Sequence, residues 1–130
     1  MDFSLIPIDY LSEIGRVDGL QWRFENQNQY PFEYSSHAID SATLAGSINS
    51  LNWWFDHRKD LQLKYDTIDV SYKTNYPKQR QVIKWWISKR DYFGEIKFSS
   101  YVLKLFSLKG DFTGESANAY STMPDRAAVL

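Results

Sequence analysis

The sequence contains no cysteine, which excludes a disulfide framework, a thiolate nucleophile and any cysteine-based zinc or iron–sulfur centre. Histidine is scarce, with only His37 and His57 to act as base or ligand. Charge of one sign is missing as well. Fifteen basic residues against sixteen acidic leave a net charge of −1, so the chain as a whole exerts no long-range pull on nucleic acid or an anionic membrane. No apolar run approaches the roughly 20 residues of a membrane span. The opening "MDFSLIPIDYLSEIG" has no basic segment, and Pro7 and Asp9 interrupt its apolar residues, so it does not read as a signal peptide. A cytoplasmic or virion location is expected. Neither GxGxxG nor GxxxxGK[ST] occurs, and neither a cofactor nor a metal is expected.

Aromatic residues are abundant. Five Trp, nine Tyr and eight Phe in 130 residues exceed what a core of this size needs, and aromatic side chains are the favoured anchors of binding surfaces. The length suits one domain, expected over residues 1–110, with residues 111–130 forming an extended polar tail because "GDFTGESANAYSTMPDRAAVL" has no sustained period.

Periodicity predicts an α+β fold. A short helix over residues 4–15 is closed by Gly15. Leu20, Trp22 and Phe24 alternate with polar residues, as do Tyr30, Phe32 and Tyr34, which reads as a hairpin across "NQNQ". Asp40 or Ser41 would cap a long helix to about Leu61, its core stripe Leu44, Ile48, Leu51 and Phe55. A strand over 66–73, a helix over 77–91 and β structure after Gly94 would form a right-handed crossover, with a bulge at Ser99-Ser100. The expected result is a mixed, mostly antiparallel sheet of four to five strands with two long helices packed on it.

"LNWWFDHR" from Leu51 and "IKWWISKR" from Ile83 share a Trp-Trp pair, but their upstream flanks "SATLAGSINS" and "NYPKQRQV" do not correspond, which favours shared packing needs over a repeat. Adjacent helical residues diverge by about 100°, so one Trp of each pair sits off the core stripe. Trp54 and Trp86 are the expected core members. Trp53, beside His57, and Trp85, beside Tyr92, are the expected exposed anchors for a partner, joined by Tyr120 and Leu130 of the tail.

Catalysis has little to build on: Ser36, His37 and Asp40 are too close in sequence for a triad, and Asp56, His57 and Asp60 lack further ligands for a metal. Residues 72–90 hold Lys78, Arg80, Lys84 and Lys89 interleaved with Tyr and Trp, as single-strand nucleic-acid binding requires. The leading expectation is a non-enzymatic protein-binding domain, as a structural subunit of a larger assembly such as a viral particle. The alternatives are an inhibitor that neutralises a toxin and a single-strand nucleic-acid-binding protein.

Overall fold

The computed structural model describes residues 2–109. They form seven helices and no sheet, which overturns the expected α+β architecture; the only pairing among them is an isolated parallel bridge between Ile68 and Phe98. The chain divides into two compact units, one ending at Asp66 and the other beginning at Thr67.

The first unit contains α1 (Ile8–Glu13), α2 (Val17–Glu25), α3 (His37–Ala45) and α4 (Ile48–Asp56). The expected strand through Leu20, Trp22 and Phe24 is the middle of α2. Its alternation misleads because Arg23 lies on the buried side of the helix, while Trp22 and Phe24 reach inward from the flanks. The Arg23 guanidinium donates to the carbonyls of Ile6 at 2.6 Å and Pro31 at 3.0 Å, and so fixes the extended segment after α2. That segment, Tyr30 to Ser35, pairs with no strand.

The single long helix expected to run to Leu61 is two helices, because Gly46 adopts a left-handed φ of 77° that ends α3. The break removes Leu44 from the core stripe and leaves it 45% exposed.

The turn after α3 repeats the turn after α1. Gly15 has φ 76° and Gly46 has φ 77°. Arg16, at φ −82° and ψ 75°, begins α2, and Ser47, at φ −83° and ψ 76°, begins α4. Arg16 N–H donates to Leu11 O at 3.0 Å, and Ser47 N–H to Ala42 O at 2.8 Å. The sequences follow: at a spacing of 31 residues, Ile8-Asp9, Gly15, Leu20, Trp22 and Phe24 recur as Ile39-Asp40, Gly46, Leu51, Trp53 and Phe55. Each carboxylate of the pair also holds the chain at the same distance onward. Asp9 accepts the Ser35 N–H and hydroxyl, at 3.1 and 2.7 Å, and Asp40 accepts the Asp66 N–H at 3.1 Å. Asp40 is therefore a clasp in the first turn of α3 rather than the expected cap.

The two helix pairs join through Ser12. Its hydroxyl donates to Ala38 O at 2.5 Å and accepts the Trp54 indole N–H at 2.9 Å, while its carbonyl accepts from Ser50 Oγ at 2.6 Å. These contacts surround a core of Ile8, Leu11, Leu20, Ile39, Leu51 and Trp54. Gly19 packs tightly there: an added Cβ would come within 2.8 Å of the Leu11 side chain and 2.9 Å of the Phe3 ring, so one of them would have to shift.

The second unit contains α5 (Tyr76–Ser88), α6 (Arg90–Phe93) and α7 (Ser100–Lys109). α5 begins where Asn75 Oδ1 accepts the Lys78 N–H at 3.0 Å, with Pro77 in the first turn. The expected strand over 66–73 shrinks to the bridge at Ile68, held by Ile68 N–H to Lys97 O at 2.8 Å and Ser99 N–H to Ile68 O at 2.9 Å. The expected β structure after Gly94 becomes a helix beyond Phe98. Ser99 caps it, accepting the Val102 N–H at 3.2 Å, so the phase change at Ser99-Ser100 marks a helix start and not a bulge. Val102, Leu103, Leu105 and Phe106 are then buried at helical spacing.

Candidate functional site

Trp53 is in the core and not on the surface. It is 8% exposed, donates its indole N–H to Gln21 Oε1 at 2.9 Å, and stacks on the His57 ring at 4.0 Å. The exposed-anchor expectation does not hold because α2 and the extended segment after it cover this flank of α4: the ring centre of Phe24 in α2 lies 5.9 Å from that of Trp53, and Phe32 in the segment 6.1 Å. His57 is held in the same cluster. The Trp53 carbonyl, which can only accept, lies 2.7 Å from His57 Nδ1, so Nδ1 carries the hydrogen.

Trp85 is half-buried, edge-on to Trp86 at 5.2 Å, with Lys89 Nζ 5.7 Å from its ring centre. Tyr92 is 50% exposed and rests edge-on against Phe93. Tyr120 and Leu130 lie outside the described residues. At 100° per residue, Lys78, Trp85 and Lys89 share one flank of α5, whereas Arg80 and Lys84 fall on the other. The structure thus brings together only part of the expected basic set. Ser36 and His37 form no catalytic pairing: Ser36 Oγ donates to Asp66 at 3.3 Å, and the His37 N–H is taken by Ser35 Oγ. Among the described residues no group of three or more His, Cys, Asp or Glu converges as a metal site would.

A surface that composition alone did not single out lies on the first helices of the repeated pairs. In α1, Ile8, Leu11 and Ser12 face inward, while Tyr10, Glu13 and the C-cap residue Ile14 face out. The equivalent outward positions of α3 are Ser41, Leu44 and Ala45. α1 packs chiefly against α3, and their links advance together, from Asp9 with Ser35 to Ser12 with Ala38, so the two helices run parallel. Tyr10 is 52% exposed, Ile14 46% and Leu44 45%, and the preceding loop adds Leu5. α2 and α4 expose no large apolar side chain.

The electrostatics of the two halves differ. Residues 1–66 carry ten acidic and five basic side chains, and residues 67–109 carry three acidic and nine basic, a separation concealed by the net charge of −1. Within the first unit, Arg16 holds Asp18 in a two-point contact at 2.9 Å, which lowers the Asp18 pKa. Burial pushes the Asp40 carboxyl upward, opposed by the Asp66 N–H and reinforced by the Asp66 charge.

Compared with known proteins, the chain matches no family model, no curated protein and no solved structure.

Proposed function

We propose that the chain is a protein-binding module whose docking face is the outward side of α1 and α3. The observation that carries this reading is that every exposed large apolar side chain of the first unit's described residues lies on those two helices or in the loop entering α1. The acidic balance of the unit selects the occupant: a polypeptide segment with an apolar ridge flanked by lysine or arginine. Tyr10, Ile14 and Leu44 would bury against the ridge, and Glu13 among them would meet a basic flank. This surface takes the place of Trp53 in the binding reading, and it suits a subunit or accessory of a larger assembly.

The test is a titration with two synthetic helical peptides, both leucine-ridged, one flanked by lysines and the other by glutamates. The reading expects the lysine-flanked peptide to bind, and Ile14→Glu with Leu44→Glu to weaken that binding by about tenfold or more. Equal binding of both peptides, or of neither, contradicts it.

A second reading is supported by the nine basic and three acidic residues of 67–109. In it, single-stranded nucleic acid lies along the Lys78, Trp85 and Lys89 flank of α5, with its affinity falling steeply as salt rises. Absence of oligonucleotide binding at low salt removes it.

A further inference from the structure

The helix pair that recurs in the first unit leaves its mark in the second. Three features define the unit: an Ile-Asp at its start, a buried pair three apart on its second helix, and an extended tetrad at its end. Ile8-Asp9 and Ile39-Asp40 have a counterpart in Ile68-Asp69, and all three isoleucines are buried. Leu20 with Arg23 and Leu51 with Trp54 correspond to Ile83 with Trp86, again all buried. Phe32-Glu33-Tyr34-Ser35 and Leu63-Lys64-Tyr65-Asp66 correspond to Ile96-Lys97-Phe98-Ser99, each tetrad apolar, charged, aromatic and then Ser or Asp. The clasp recurs too. Ser99 donates its hydroxyl to Asp69 at 2.7 Å, as Ser35 does to Asp9 at 2.7 Å.

The third occurrence departs at its entry and, by one residue, ahead of its tetrad, since Leu20 to Phe32 and Leu51 to Leu63 are 12 residues but Ile83 to Ile96 is 13. From Asp9 to Leu20 and from Asp40 to Leu51 is 11 residues, but from Asp69 to Ile83 is 14, and no helix and no glycine turn lies between Asp69 and α5. A shared helix–turn–helix unit with a changed entry and one added residue before the tetrad accounts for both the agreement and the departure, as is usual for the end members of repeat proteins.

We infer that the chain is built from three copies of one helix–turn–helix unit, the third without its first helix, and that partner choice is written where the copies differ on the outward face, at Tyr10, Glu13, Ile14 and Leu44. Inward positions of the first two copies stay buried even where the residue changes, as at Leu11 and Ala42. Outward positions change character altogether: Tyr10 stands against Ser41, Glu13 against Leu44, and Ile14 against Ala45. Inward positions answer to the fold, and outward ones are free to answer to a ligand. The assignment of partner choice rests on the docking face proposed above; the repeat itself does not.

Replacing Tyr10→Ser, Glu13→Leu and Ile14→Ala together gives the first copy the outward face of the second. The repeat predicts an unchanged helical circular-dichroism spectrum and a melting point within a few degrees of the parent. Loss of helix overturns the equivalence of the copies. Affinity for the lysine-flanked leucine-ridged peptide should fall by about tenfold; a folded variant with unchanged affinity overturns the specificity assignment alone. A parent protein that binds neither peptide overturns the docking face, and the melting data then still decide the repeat. For the third copy, Asp69→Ala should lower the melting point about as far as Asp40→Ala. A silent Asp69→Ala beside a damaging Asp40→Ala removes the third copy.

Discussion

The indole N–H of Trp54 donates to the Ser12 hydroxyl at 2.9 Å, inside a core where both residues are almost wholly excluded from solvent. Ser12 in turn donates to Ala38 O, so one hydroxyl ties α4 to α1 and α1 to α3. Ser12→Ala would leave the buried Trp54 indole N–H unpaired, at a cost of about 1–3 kcal/mol, while Ala38 O keeps its intrahelical partner. Denaturant melts of Ser12→Ala, Trp54→Phe and the double variant check this. The two single costs should not add, because both remove the same bond.

Trp53 behaves as a core residue. Trp53→Ala should destabilise by about 3–5 kcal/mol, as large aromatic truncations in cores do. Trp85→Ala, removing a half-buried ring, should cost less. Thermal melts rank the two, and a Trp53→Ala protein as stable as the parent would contradict the packing of Trp53 against Gln21, Phe32 and His57.

Arg23 is a buried cation with carbonyl partners only. Its Nε has no hydrogen-bond partner, and its two terminal nitrogens divide between Ile6 and Pro31. A lysine ammonium is a single point and cannot serve both carbonyls in the same fork geometry. Arg23→Lys should therefore cost about 1–3 kcal/mol despite preserving charge. Hydrogen exchange should show the Tyr30–Ser35 segment loosening before the helices do.

The raised Asp40 pKa gives a pH dependence of definite sign. Its carboxyl binds a proton more readily in the folded state than in the unfolded chain, so its contribution to stability is fully present below the unfolded pKa, is lost as pH rises from there through the folded pKa, and is level above it. Asp40→Asn should flatten that part of the stability profile just above the ordinary carboxylate range. The check is the difference between parent and variant in melting curves taken across that range. The exposed Asp18, with its lowered pKa, works in the opposite direction at lower pH and cancels in the difference.

Some of this was legible in the sequence. Gly15 closes α1 as expected, although the helix starts after Pro7 and not at residue 4, and the helix expected over 77–91 appears as α5 with Pro77 in its first turn, because those residues act through their own backbone geometry. The expected hairpin gives way to α2 because one buried arginine between two flanking aromatics imitates a strand. The expected sheet after Gly94 gives way to α7 because the alternation of Tyr101, Leu103 and Leu105 masks the helical spacing of Val102 and Phe106, with Ser99 as the cap. The Trp-Trp pairs conceal the repeat: the partner of Trp53-Trp54 at the 31-residue spacing is Trp22-Arg23, where a buried cation stands in place of the second tryptophan. Tyr10, Ile14 and Leu44 resemble core residues by type, and only the helix break at Gly46 and the parallel packing of α1 on α3 turn them outward.

The most direct measurement inserts a second copy of residues 32–62 after Gln62, one full period, beside a control that inserts only the first half of that segment. Repeat proteins accept whole units because each added copy meets a neighbour like the one it copies. The account predicts that the full-period protein gains helical circular-dichroism signal in proportion to its added helices and melts in one transition, while the half-period control does not. A full-period protein whose added segment contributes no helix, or which unfolds as readily as the control, would contradict it.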